Sequence, residues 1–162
     1  MDLLGKARGQ QNLLERIANK IPGFKGYRDK ELRRDADRLE REYLARQLEE
    51  CKKSLDGWSS DASRSGALEA INDIETARKR LDKVIARIRF ADRGYAGFFD
   101  AIKVDEEALA RVYAFDESLL AYVEAIREAR SYTTDAPRGM LERIDSLDAK
   151  LGEREDVLSG IR

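Results

Sequence analysis

Along almost the whole chain, apolar residues recur at alternating intervals of four and three, the spacing that puts side chains on one face of an α-helix. Leu3, Ala7, Leu14, Ile17 and Ile21 do so first, with Leu4 and Leu13 widening the stripe. Only two prolines, Pro22 and Pro137, interrupt 162 residues, and a helix interior excludes proline most strongly. Ala, Leu, Glu, Arg and Lys are abundant and β-branched residues few, so local preference agrees with the period. No strand pattern and no internal repeat competes with it. The sequence predicts an all-α chain.

Five helices are expected, over 3–20, 28–56, 66–93, 105–131 and 137–159. The first ends at Pro22-Gly23. In the second, Leu32, Ala36, Leu39 and Tyr43 line one face, and Leu44, Leu48, Cys51 and Leu55 continue it one position out of phase. Gly57 reads as its stop, and 57–65 as a polar loop carrying Trp58. The third uses Leu68, Ile71, Ile74, Leu81, Val84, Ile85 and Ile88. Asp105 is an N-cap for the fourth, with Val104 and Leu109 spaced as a hydrophobic staple. Asp135 and Pro137 open the fifth, whose face is Leu141, Ile144, Leu147, Leu151 and Leu158. Helices two to four would each be about 40–45 Å long, which favours an antiparallel, coiled-coil-like bundle of four to five helices in a single domain spanning 1–162.

The chemistry is bounded by what is missing. The chain has no histidine and a single cysteine, Cys51. Histidine-based zinc sites, Ser-His-Asp and Cys-His nucleophile systems and histidine switches are thereby removed. A di-iron bundle needs Glu-x-x-His pairs and goes with them. An all-carboxylate magnesium or calcium site is the remaining metal option, and no calcium-loop spacing supports it. Cys51 lies on an apolar face and reads as a small core residue; a lone cysteine is consistent with a reducing cytoplasm. No apolar run approaches the roughly 18 residues of a membrane span, and no signal segment is expected. The reading is of a cytoplasmic protein that is not an enzyme, with no catalytic, cofactor-binding or metal residues to assign.

Charge is dense, 39% Asp, Glu, Lys and Arg, and unevenly placed. Residues 1–60 carry 14 basic against 11 acidic side chains, 61–103 carry 9 against 7, and 104–162 carry 8 against 14. Complementary helices inside one bundle explain this as well as a basic face for an anionic partner does. The densest basic stretch is Arg28, Lys30, Arg33, Arg34, Arg38 and Arg41, but acids alternate with it, as on a solvated face laced with ion pairs. Gly23-Phe24-Lys25-Gly26 has the Gly-x-x-Gly form of some RNA-gripping loops, which belong to mixed helix and strand folds; here it reads as a corner. Two charges stand on apolar stripes: Arg78 among Ile71, Ile74, Leu81 and Ile85, and Asp116 among Leu109, Val112, Leu119 and Val123. Either they pair with each other or with a tyrosine hydroxyl, aligning two helices, or the stripe rotates and one of them sits at its edge.

The segments Pro22-Gly23-Phe24-Lys25-Gly26-Tyr27 with Lys30-Glu31 and Arg33-Arg34, and Arg87-Ile88-Arg89-Phe90 through Gly94-Tyr95-Ala96-Gly97-Phe98-Phe99, resemble those of a group of uncharacterised bacterial helical proteins. The resemblance spans most of residues 20–125 and implies a bacterial cytoplasmic protein; it brings no activity and no functional residues. A looser similarity to membrane-remodelling scaffolds such as the phage-shock family rests on the long charged hairpin alone.

The expected function is that of a scaffold or adaptor binding another protein or itself through an apolar seam, with the first and last helices as donors. The candidate interaction residues are Phe24, Tyr27, Arg33, Arg34, Trp58, Tyr95, Phe98 and Phe99, whose aromatic members would otherwise cap the bundle ends. The second class is a peripheral membrane or polyanion binder using helix one and the stretch 28–41, with no specific nucleic acid expected. A carboxylate-only enzyme is third.

Overall fold

The computed structural model describes residues 3–91, 96–129 and 131–160. It contains helices α1 (Leu3–Lys20), α2 (Lys30–Ser65), α3 (Leu68–Arg89), α4 (Ala96–Asp100), α5 (Glu106–Glu128) and α6 (Ala136–Gly160), and no strand among the described residues. The protein is all-α.

The four long helices close a ring in which α2 packs on α3, α3 on α6, α6 on α5 and α5 on α2. Cross-helix pairs give the directions. Asp56 meets Arg78 and Glu49 meets Arg89, so α2 and α3 are antiparallel. Arg143 reaches Ala125 and Arg154 reaches Asp116, so α5 and α6 are antiparallel too. The two hairpins stand side by side with α3 and α6 running in the same direction: Arg80 meets Asp145 and Arg87 meets Glu155. The core runs down the middle, from Phe98 and Tyr27 at one end to Trp58 and Ala62 at the other.

Helix α1 packs along α5 in the same direction, with Gln10 on Glu106, Arg16 on Glu117 and Lys20 on Glu124. The segment 21–29 then runs back the way α1 came, so that Arg28 joins Gln10 and Glu106. It is more than a corner. Ile21, Phe24 and Tyr27 are buried, and Gly26 sits at φ +86° against Leu14 and the Tyr113 hydroxyl, where a Cβ has neither room nor a relaxed backbone. Asp29 then caps α2 by accepting from the Glu31 N–H at 3.0 Å, and Asp105 caps α5 through the Ala108 N–H at 2.7 Å, as its position suggested.

The second helix is longer than the sequence reading allowed. Residues 57–65, expected as a loop, are the last turns of a 36-residue α2, and the stop is Gly66 at φ 72°. The physical reason is the buried face. Cys51, Leu55, Trp58 and Ala62 continue at four, three and four, and burying Trp58 outweighs the roughly 1 kcal/mol that a helical glycine costs at Gly57. The expected match of three helix lengths fails accordingly, since α2 has 36 residues, α3 22 and α5 23. The apolar seam of α6 is also covered, with Met140, Ile144, Leu147 and Leu158 in the core, and Ile17 of α1 joins them, while Leu4 near the start of α1 is exposed.

Candidate functional site, a buried ionic cluster

The feature that sequence patterning does not explain lies inside the bundle. Asp37, Glu40 and Arg41 of α2, Asp116 of α5 and Arg154 of α6 are all buried, together with the Tyr27 side chain. The Arg154 guanidinium reaches diagonally across the ring. Its Nε donates to Asp116 Oδ1 at 2.7 Å and its Nη2 to Asp37 Oδ1 at 2.9 Å, with Glu40 Oε2 at 3.5 Å. The Arg41 Nε donates to Asp37 Oδ2 at 2.7 Å, and its Nη1 to the carbonyls of Ile88 and Arg89 at the end of α3. The Tyr27 hydroxyl lies 2.5 Å from Asp116 Oδ2 and 3.0 Å from Glu40 Oε2. All four long helices and the 21–29 segment are tied at one point.

Burial and the neighbouring carboxylate of Asp116 push the Glu40 carboxyl well above the usual carboxylate range. Burial, with Asp116 and Glu40 beside it, also pushes the Tyr27 phenol up. Burial works against the charge on Arg154, but Asp116 and Asp37 outweigh it and hold the guanidinium firmly protonated. Arg154 thus takes the place between three carboxylates where a cation belongs. Among the described residues no group of three acidic or thiol side chains is placed to hold a metal ion. A cavity of about 10 Å³ lies beside the cluster, lined by Glu40, Arg154, Leu119 and Leu151 and, towards solvent, by Arg87 and Glu155; one water molecule would fill it.

A third buried arginine organises the adjoining end. Arg33 donates from Nε to the Tyr27 carbonyl at 2.8 Å and from Nη1 to the carbonyls of Phe98 and Ala101 at 3.3 and 2.6 Å. Around it Phe24, Tyr27, Phe98 and Phe99 meet edge to face at centroid distances of 5.2–5.5 Å, and Tyr113 stacks on Tyr27 at 5.4 Å.

These positions correct the residue-level expectations. Phe24, Tyr27, Arg33, Trp58, Phe98 and Phe99 are core residues, because the 21–29 segment and α4 fold inward over the bundle end and Trp58 belongs to the inner face of α2. Arg34 is exposed, pairs with Asp100 at 2.9 Å and lies over the Phe99 ring. Tyr95 lies outside the described residues. Arg78 and Asp116 do not pair: Arg78 bridges to Asp56 at 2.6 Å at the edge of the stripe, where Ala77 holds the inner position. Asp116 is buried and does meet a tyrosine hydroxyl, but its cation is Arg154. The basic stretch 28–41 is not one cationic face either, since Arg28 pairs with Glu106, Arg34 with Asp100 and Arg41 with Asp37, while Arg33 is buried. Cys51 is buried, as its place on an apolar face suggested.

The cluster left a trace in the sequence. On α6 the stripe Ile144, Leu147, Leu151, Leu158 skips one position, and Arg154 fills it. On α2 the apparent change of phase near Tyr43 is no change at all. Arg33, Asp37, Glu40 and Leu44 occupy the same inner face that Leu48, Cys51 and Leu55 continue. No family model, no curated protein and no solved structure matches this chain.

Proposed function

We propose that the protein is a non-enzymatic interaction protein, a helical scaffold or adaptor that works through its surface in the cytoplasm. What supports this reading is the division of labour between interior and exterior. The clustered ionisable groups are engaged with one another across α2, α5 and α6, where they fix the alignment of helices. The observation that carries it is on the surface: Phe90 and Ile102, 77% and 90% exposed, bracket α4, whose own Phe98 and Phe99 are buried. Large apolar side chains held in water are what a protein partner, or a second copy, would cover.

The test is the double substitution Phe90→Ser, Ile102→Ser. Both side chains are exposed, so the free energy of unfolding in urea should stay within about 0.5 kcal/mol of the parent. Sedimentation velocity should report loss of self-association, or cross-linking in the native host should report loss of a partner captured by the parent. A variant that keeps every association of the parent would remove these two side chains from the proposal. A turnover activity abolished by Glu40→Gln would replace the scaffold reading altogether.

A further inference from the structure

The hydrogen count at the centre of the ionic cluster does not close unless one more proton is present. A tyrosine hydroxyl carries one hydrogen, yet the Tyr27 oxygen lies within bonding distance of two carboxylates, Asp116 at 2.5 Å and Glu40 at 3.0 Å. If its hydrogen goes to Asp116, the Glu40 contact brings two bare oxygens together, unless Glu40 itself carries a hydrogen to donate. With that hydrogen the Tyr27 oxygen is complete: it donates to Asp116 and accepts from Glu40 and from Arg154 Nη2 at 3.3 Å.

The other acids cannot take the proton as readily. Both Asp37 oxygens accept from arginines, Oδ2 from Arg41 and Oδ1 from Arg154. Both Asp116 oxygens are engaged as well, Oδ1 by Arg154 and Oδ2 by Tyr27. Glu40 has its Oε2 only 3.5 Å from Arg154, and its buried Oε1 meets no donor. Charge leads to the same residue. With Glu40 neutral, Asp37 and Asp116 balance Arg41 and Arg154; with Glu40 ionised, a net negative charge is sealed in a region that solvates it poorly. The remaining charged groups facing Glu40 are Arg87 of α3 and Glu155 of α6 across the small cavity, and they are paired with each other at 2.9–3.0 Å, Arg87 also holding Asp148.

We propose that Glu40 is a buried proton-binding site, a carboxylic acid whose hydrogen is held by the Tyr27 oxygen and whose release is coupled to loss of the fold. The sign of the coupling follows from the chain with and without its fold. In the unfolded chain a glutamate gives up its proton near pH about 4.3; in the fold it keeps it. The folded state therefore binds more protons than the unfolded one in the window above that pH. Stability contributed by this proton is complete below the window, falls as the pH rises through it, and levels off once Glu40 ionises in the fold. For one proton the folding equilibrium constant changes by up to about tenfold per pH unit.

Two measurements test this. Carbon-13 carboxyl NMR of the parent protein, with Glu40 assigned through its own backbone, should show its carboxyl carbon in the protonated position at a pH where the exposed glutamates have all titrated. Titration of Glu40 together with them would overturn the proposal, and this needs no variant to fold. Urea unfolding between pH 5 and 8 compares the parent with Glu40→Gln, which keeps a hydrogen-bonding side chain of the same shape but cannot ionise. The variant should gain stability relative to the parent as the pH rises; a difference that stays constant across the range would overturn the proposal as well.

Discussion

Between Arg33 and Leu44, helix α2 turns Arg33, Asp37, Glu40 and Arg41 to the bundle interior, whereas from Leu48 to Ala62 the same face presents Leu48, Cys51, Leu55, Trp58 and Ala62. The face is continuous; the physics is not. Apolar contacts are non-directional and scale with buried area, so the far half of α2 accepts any partner of the right volume. Hydrogen-bonded charges have direction and valence. In the near half Arg154 must find Asp37 and Asp116 at once, from two other helices, or leave buried charges without partners. One half supplies adhesion, and the other decides which alignment of the two hairpins is allowed.

The largest effect should come from the centre of the charged half. Arg154→Met removes the shared cation and leaves Asp37 and Asp116 facing Glu40 and Tyr27 without it. A loss of about 3–5 kcal/mol is expected from urea unfolding at a fixed pH. In that background Asp116→Asn should cost far less than it does in the parent, with a coupling of about 1–3 kcal/mol. Strictly additive effects would mean that the cluster is a set of neighbours and not a unit, and the contrast between the two halves would fail.

The apolar half should be tolerant where the charged half is not. Leu55, fully buried, should lose about 2–5 kcal/mol on substitution by Ala, which leaves a cavity, but less than about 1.5 kcal/mol on substitution by Met, which refills it. At Asp37 a change as small as Asp37→Asn should exceed the cost of Leu55→Met, because the amide cannot accept from Arg41 and Arg154 with both of its polar atoms. Equal costs at the two positions would erase the distinction.

The same difference explains what could be read from the sequence. Helix type and the inner faces of α3, α5 and α6 were legible, because there apolar residues mark burial at each turn: Ile74, Leu81, Ile85 and Ile88, or Leu109, Val112, Leu119 and Val123. Asp116 stood out for the same reason, as one charge in an apolar row. Arg33, Asp37 and Glu40 were hidden, because Leu32, Ala36, Leu39 and Tyr43 beside them form an apolar row of their own and draw the eye one position away; a buried acid and a solvated one have the same side chain, and only the opposing helix distinguishes them. Arg154 showed itself only as a gap of seven between Leu151 and Leu158. Its partners lie 38 and 117 residues away, and no local spacing encodes such pairings. The inward fold of Phe24 and Tyr27 depended likewise on Gly26 passing close to Tyr113, a contact between distant segments.

The smallest expected effects locate where the apolar half ends. Gly57 lies on the exposed side of α2, and a Cβ there meets nothing within 4 Å. Gly57→Ala should therefore stabilise the protein by about 0.5–1 kcal/mol, the ordinary penalty of glycine inside a helix, and raise Tm by roughly 1–4 °C. Gly66 is the opposite case. At φ 72° it closes the helix, with its N–H directed to the carbonyls of Ala62 and Ser63, so Gly66→Ala should lower stability by about 1 kcal/mol. The pair of substitutions is chemically identical, and the sign alone distinguishes an interior position from a terminus. Were Gly57 the stop and 57–65 a loop, the signs would exchange. Trp58 and Ala62 would then leave the inner face, and the apolar half of α2 would be too short to reach the far end of the bundle.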